Sequence, residues 1–551
     1  MAYLVPKSVV ALRHYSLKKF GGDLVAGITV GLVALPLAMA FSIASGVPPQ
    51  SGIYCAIVAG FLISALGGSM TQIGGPTGAF VVVVADIVQR HGTDGLFMVT
   101  LMAGVLLTIL GLTGLGTAVK YIPRPIVIGF TNGIAVLIAS TQLKDFFGLQ
   151  IEKVPGDFIA RMRSIAEHWG TLSLDTTLLS AAALVVMILM MRFIRRVPGA
   201  IVVLVLGTGA AWALHLPVTT IDSAFGGIPR GLPALRLPEF RPELILPLLS
   251  PVLTVTMLGA IESLLSAVVA DRMSGDRHNP NVELVAQGVA NVASPLFGGL
   301  PATGAIARTA TNVRSGAKTP VAGMIHALTL LAILLFATGL AGHIPLCILS
   351  AILFVVAYNM GEWGEIPEIL KLTKADIAVW LITFALTVLA DLTVAVEAGM
   401  ILAALLFIRK VTLTTTVERV TPEYIEQGFA HSLQAVDIPD GAVVFRIHGP
   451  FLFGATDKLE TIIEQIDELP RVVLLRLRNM TAIDATGLHA LEDLADRLRT
   501  SGRTLVICGM REQPAKLFDR AEFHRHLGEE NIQPSLRAAV TRAREILANE
   551  T

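Results

Sequence analysis

Long apolar stretches separated by short polar ones run through most of the chain, and the pattern stops abruptly after Phe407-Ile408-Arg409-Lys410. A stretch of about 20 apolar residues matches a hydrocarbon core roughly 30 Å thick. Fourteen membrane segments are predicted, near Asp23–Ser45, Gly52–Gly67, Gly78–Gln89, Leu96–Leu115, Ile126–Gln142, Leu172–Met191, Ala200–Leu214, Leu248–Ala270, Glu283–Ser294, Thr303–Thr311, Pro320–Leu340, Ile344–Tyr358, Ile377–Ala390 and Thr393–Phe407. Those beginning at Gly78 and Thr303 are too short to span alone. Seven segments precede the proline-rich stretch Pro229–Pro247 and seven follow it. An odd-numbered repeat inverts its second copy, so the pattern predicts a 7+7 inverted repeat, with copies over about 23–215 and 247–410.

An even number of spans puts both termini on one side. The clusters Lys18-Lys19, Lys120 with Arg124, Arg192 with Arg195-Arg196, Arg314 with Lys318, Lys371 with Lys374, and Arg409-Lys410 all fall on that side and mark it cytoplasmic. Residues 1–22 read as a basic cytoplasmic lead-in and 411–436 as a linker. From 437 to 551 strand-like and helix-like runs alternate: Ala442–Ile447, Ala455–Glu468, Val472–Leu477, Thr486–Arg499, Thr504–Cys508 and Pro534–Ala548. Such alternation predicts a small α/β domain, a sheet covered by helices.

Composition agrees with this division. Of 551 residues 53% are hydrophobic and only 15% charged, against about 25% charged in an ordinary soluble protein. Formal net charge is zero, so nothing argues for a nucleic-acid partner. Cys55, Cys347 and Cys508 are far apart, with neither metal-ligand nor disulfide spacing. There is no nucleophile–base arrangement and no phosphate loop, so an enzyme, a metal site and a bound cofactor are not expected.

Candidate chemistry sits where the apolar segments are broken. Gly74-Gly75-Pro76-Thr77-Gly78-Ala79 in the first half is matched in the second by Gly298-Gly299-Leu300-Pro301-Ala302-Thr303-Gly304-Ala305. Both read GG, then Pro, then TGA. Ile122-Pro123 and Ile344-Pro345 repeat nearly the same offset, roughly 220 residues, as a duplicated unit would. Paired broken helices in corresponding halves point to the substrate site of a secondary transporter. Irregular backbone at membrane depth is tolerated only where protein or a water-filled cavity satisfies its polar groups. Two half-helices starting at Gly78 and Thr303, N-termini facing one another, would form an anion site from their unpaired N–H groups and dipoles. The plainer alternative is that these glycines serve tight helix packing.

Two charged residues lie inside the apolar segments. Arg308 follows Thr303 in the second half-helix and would add positive charge to an anion site; otherwise it snorkels to the headgroups. Glu262 lies in Gly259-Ala260-Ile261-Glu262-Ser263-Leu264-Leu265-Ser266. Its protonation would remove a negative charge beside an anionic substrate, which makes it the candidate proton-coupling group; otherwise it ties helices together by hydrogen bonds. His326 reads as a packing residue.

These pieces, in this order, resemble the SulP (sulfate permease) family of anion carriers. The resemblance rests on Ala34-Leu35-Pro36-Leu37-Ala38-Met39-Ala40-Phe41, Gly46-Val47-Pro48-Pro49-Gln50-Ser51-Gly52-Ile53-Tyr54, Gly74-Gly75-Pro76-Thr77, Asn281-Val282-Glu283-Leu284, Arg308-Thr309-Ala310-Thr311-Asn312 and Gly316-Ala317-Lys318-Thr319. The tail is similar to a STAS domain. There Asp484-Ala485-Thr486-Gly487 resembles the segment holding the phosphorylated serine of anti-sigma-factor antagonists; Thr486 takes that serine's place, as a helix cap or as a phosphosite. The resemblance implies an all-α membrane domain of fourteen segments with core and gate domains, followed by a cytoplasmic α/β STAS domain. It implies a substrate held by Phe41, Thr77 and the stretch Ala305, Ile306, Ala307 and Arg308, to which the half-helix reading adds Gly78, Ala79, Thr303 and Gly304. Many relatives carry a polar residue at Leu37, so the site is expected to be more apolar on that side.

The stretch around Glu262 is most similar to bacterial C4-dicarboxylate carriers of this family. The expected function is therefore proton-coupled symport of fumarate, succinate or sulfate across a bacterial inner membrane, by alternating access. Sodium-coupled bicarbonate carriers of the family have Asp and Thr where this chain has Glu262 and Ser266; in that alternative these two residues form the ion site. An uncoupled anion channel or exchanger is a further alternative. The resemblance also implies a homodimer and leaves room for a cytosolic protein partner of the STAS domain.

Overall fold

A computed structural model describes residues 5–13, 15–116, 123–152, 154–194, 198–229, 231, 235, 241–390, 392–420 and 437–549. The side chains of residues 392, 393, 396, 397 and 461 are not described. Lys120, Ile122, Arg195, Arg196 and most of the expected linker therefore lie outside the described residues. The chain divides into two compact units, 1–401 and 402–551.

The first unit is helical. A short helix, α1 (Lys7–Leu12), precedes α2 (Leu17–Ala44), α3 (Pro49–Leu66) and the two-residue strand β1 (Gly74–Gly75). Then come α4 (Ala79–Leu112), α5 (Arg124–Phe147), α6 (Phe158–Glu167), α7 (Leu174–Phe193), α8 (Gly199–Ala213) and α9 (Ile221–Phe225). The second half runs through α10 (Ile245–Ser274), α11 (Pro280–Leu296), strand β2 (Thr303–Gly304), α12 (Ile306–Arg314), α13 (Val321–Phe336) and α14 (Thr338–Gly342). It closes with α15 (Leu346–Met360), α16 (Ile366–Ile369), α17 (Lys374–Leu389) and α18 (Leu392–Thr414).

Each of the fourteen expected segments has its helix, provided α4 is counted as two. Gly92, at φ +70° and ψ −175°, breaks α4 where the sequence places a gap between Gln89 and Leu96. Among the described residues seven helices are long and apolar enough to cross a bilayer alone. Prolines start α3 and α11, where a missing N–H costs nothing. Left-handed glycines, Gly148 and Gly275, end α5 and α10. Large apolar side chains such as Leu246, Phe336 and Leu340 stay exposed, as lipid-facing positions do.

Several expectations are corrected. α2 begins at Leu17, ahead of Asp23. Asp23 is buried and accepts hydrogen bonds from the backbone N–H groups of Lys318 (2.7 Å) and Thr319 (3.0 Å), and from the hydroxyls of Thr319 (2.5 Å) and Tyr15 (3.0 Å). It ties the chain start to the entry of α13. The helix α6, amphipathic rather than apolar throughout, was not anticipated. The second broken segment begins its helix at Ile306, not Thr303, because Thr303 and Gly304 are strand.

The second unit contains a five-stranded sheet in sequence order: β3 (Thr416–Arg419), β4 (Ala442–Phe451), β5 (Val472–Ile483), β6 (Thr504–Cys508) and β7 (Ile532–Gln533). β3 is antiparallel to β4 and the remaining pairs are parallel. The helix Ala485–Thr500 covers one face, with Leu488, Leu491 and Leu494 against Val473, Leu475 and Ile507. The last helix, Leu536–Ala548, covers the other, with Ala539, Val540 and Ala543 against Val444, Leu474 and Val506. β3 lies inside the span expected to be linker. The run Ala455–Glu468 is not one helix but 3₁₀ turns flanking Glu460–Glu464. The helix Glu512–Arg520 and the strand β7 were not anticipated from the sequence.

Candidate functional site

The two broken motifs meet. β1 and β2 pair antiparallel, Gly74 opposite Gly304 and Gly75 opposite Thr303, so corresponding pieces of the two halves form one ladder. Gly75 sits at φ +146° and brings backbone against Arg308, where a Cβ would come within 2.8 Å of the guanidinium Nη1. Side chains and backbone from both halves pair much of the crossing's irregular backbone. The Ala305 N–H donates to the Ile73 carbonyl (2.8 Å) and the Ile73 N–H to the Thr309 hydroxyl (3.0 Å). Asn291 receives the Ala302 N–H and donates to the Ala302 carbonyl, both at 2.8 Å. Ser263 and Thr303 share a hydroxyl contact at 2.7 Å, and the Gln72 amide donates to the Ser263 carbonyl at 3.1 Å. Buried irregular backbone survives only when satisfied in this way.

From this crossing α4 and α12 run on, and neither N-terminus has a side-chain cap. Both open at a cavity of about 370 Å³. Phe41, Thr77, Gly78, Glu262, Ala305, Ile306, Ala307 and Arg308 all line it. Leu37 lines it too and puts an apolar side chain on that wall. Thr77 donates its hydroxyl to Glu262 Oε2 at 2.9 Å. Arg308 is 2% exposed; its Nη2 donates to the Pro76 carbonyl, and its Nη1 has no partner among the described residues. A carboxylate, a guanidinium with an open donor and two uncapped helix N-termini thus share one small, mostly apolar chamber.

Other expected residues lie elsewhere. Ala79 is buried in the first helical turn, and Thr303 and Gly304 are used up by the ladder; none lines the cavity. Ser266 is also buried away from it, its hydroxyl against that of Thr309 at 3.0 Å. Phe130, Asn359 and Glu362 also line the cavity, though no motif marks them in the sequence. Glu362 was detectable only weakly, as an acidic residue in Gly361-Glu362-Trp363-Gly364 that needs a left-handed conformation (φ +45°). His326 is fully buried, and neither ring nitrogen has a partner among the described residues. In the second unit Asp484, not Thr486, caps its helix, receiving the Gly487 N–H at 2.8 Å. Thr486 is exposed in the first turn.

Residues 20–383 match the sulfate permease family, and residues 434–539 match the STAS domain. The chain belongs to the sulfate permease family. It is 39% identical over 523 residues to the Bacillus subtilis protein YvdB, covering 94% of this chain and 97% of that one. It is 32% identical over 524 residues to the bicarbonate transporter BicA of Synechocystis, covering 93% and 92%. Its fold matches the murine Solute Carrier 26 family member A9 anion transporter with TM-score 0.87 at 17% identity, over 98% of this chain and 94% of that one. This member of the sulfate permease family is a multi-pass membrane anion transporter, not an enzyme, with a C-terminal STAS domain.

Proposed function

We propose that this transporter is a proton-coupled symporter of a small divalent anion, a C4-dicarboxylate or sulfate, working by alternating access around the α4–α12 cavity. The observation that carries the reading is the placement of Glu262 and Arg308 in one chamber, Glu262 held by the Thr77 hydroxyl. Arg308 and the two helix N-termini supply the positive field for an anion. An ionised Glu262 opposes that field, and its protonation removes the opposition, so anion and proton favour one another's binding. The cavity volume leaves room for a dicarboxylate as well as for a tetrahedral anion.

Sodium-coupled bicarbonate uptake is the second reading, supported by the similarity to BicA. Against its ion site stands Ser266, whose hydroxyl is engaged by Thr309 away from the cavity. We place the chain in a bacterial inner membrane as a homodimer with both termini cytoplasmic, and treat the exposed Thr486 as the candidate phosphosite of its STAS domain. The test is uptake of labelled fumarate, sulfate and bicarbonate into proteoliposomes under an inward proton or an inward sodium gradient. Proton-driven accumulation of fumarate or sulfate supports the first reading; sodium-driven bicarbonate uptake replaces it with the second.

A further inference from the structure

A second basic cavity lies wholly within the STAS unit. On the sheet face under the last helix, Val444, Leu474 and Val506 are covered. Two residues further along each strand, on the same face, stand Arg446, Arg476 and Cys508, with Arg446 opposite Arg476 and Arg476 opposite Cys508. The last helix begins only at Leu536, capped by Ser535, which receives the Ala538 N–H at 3.3 Å. The sheet therefore continues beyond its apolar cover, and the space left is a cavity of about 490 Å³.

Four guanidinium groups line this space from three parts of the chain: Arg476 and Arg478 from β5, Arg511 after β6, and Arg537 from the first turn of the last helix. No Asp or Glu lines it with them. Arg476 is only 8% exposed. Among the described residues no carboxylate pairs with Arg478, Arg511 or Arg537; Arg511 donates to the Arg478 carbonyl at 2.9 Å. The thiol of Cys508 offers no countercharge, because burial pushes its pKa up to about 11 against the pull of Arg476. Burial, and then the guanidinium groups of Arg478 and Arg446, lower the Arg476 pKa although Cys508 opposes them. Four guanidinium groups around one cavity with no acidic residue in its lining favour an anion in it.

We propose that this cavity binds a doubly charged tetrahedral oxyanion, either sulfate or the phosphoryl group of inorganic phosphate or a phosphate monoester. The planar guanidinium fork matches the oxygen pairs of such a group, which a halide cannot offer. Ser535 and the helix start beside it add positive potential at the same wall. The site is independent of the transport cavity and of the coupling reading.

The test is hydrogen–deuterium exchange of the full chain in detergent, read by mass spectrometry, in sulfate, inorganic phosphate or glycerol phosphate, each against chloride at equal ionic strength. Peptides spanning Leu505–Glu512 and Pro534–Val540 are expected to exchange about tenfold more slowly at ten times the dissociation constant. The protection is expected to vanish in Arg478→Gln/Arg537→Gln, two exposed positions whose change leaves both cores intact. Protection by sulfate, by phosphate or by the monoester each supports the site and names its ligand. Protection equal in chloride, retained in the double variant, or spread evenly over the Ala485–Thr500 peptides as a general salt effect, overturns it, as does no protection at all.

Discussion

Glu262 and Arg308 are single residues whose meaning depends on what stands beside them. In the chain they are 46 positions apart and each has a bland reading; in the fold they face one cavity. Glu262→Gln keeps the Thr77 hydrogen bond, since the amide oxygen still accepts, and removes only the titration. It is expected to leave expression unchanged and to abolish the dependence of uptake on an inward proton gradient, so that net uptake falls to the level driven by the anion gradient alone. The measurement is proteoliposome uptake at several external pH values. An unaltered pH profile would take Glu262 out of the coupling role and leave it as a hydrogen-bonding tie between α10 and the α4 entry.

Among elements, the crossing of β1 and β2 is where the site is built and where it is weakest. Its two ladder residues per strand cannot hold it alone, so side chains from neighbouring helices do: Asn291 on α11, Ser263 on α10 and Thr309 on α12. Asn291→Ala strands the buried N–H and carbonyl of Ala302, at a cost of about 1–3 kcal/mol for each group left unpaired. A lower melting temperature of the detergent-solubilised protein is expected, together with slower uptake, because β2 leads directly into the cavity-lining Ala305–Arg308. Unchanged melting with unchanged uptake would mean that the ladder and Ser263 suffice.

Two units of different chemistry make up the molecule, and alkaline pH acts on the second through Cys508. Its pKa is about 11 in the fold against an ordinary value of 9.0, so folding favours the neutral thiol. The stabilisation, on the order of 2–3 kcal/mol, is complete below about pH 9 and is lost as pH rises through 11. Limited proteolysis of the STAS unit across pH 8 to 11, in chloride, is expected to show falling resistance in the wild type. Cys508→Ala should show a shallower fall. Identical slopes would mean that other groups dominate the alkaline loss.

The apolar pattern by itself determined the number and order of the membrane segments, because a bilayer demands a minimum apolar length from each. It also set the existence of the α/β tail, since runs of period two and period 3.6 are local properties of the chain. The duplicated GG-Pro-TGA motifs were legible for the same reason, as repeated exceptions to that pattern. Only the tertiary structure decided that the second motif is strand through Gly304 and helix from Ile306, because Thr303 and Gly304 are held by partners far along the chain: Gly74, Gly75 and Ser263. The same reason excludes Ser266 from the cavity and brings Phe130 and Glu362 into it. In the tail it makes Asp484 the cap instead of Thr486 and gathers four arginines from three segments into one basic cavity. Burial and hydrogen-bond satisfaction are long-range properties, and no local period records which distant group will meet a given side chain.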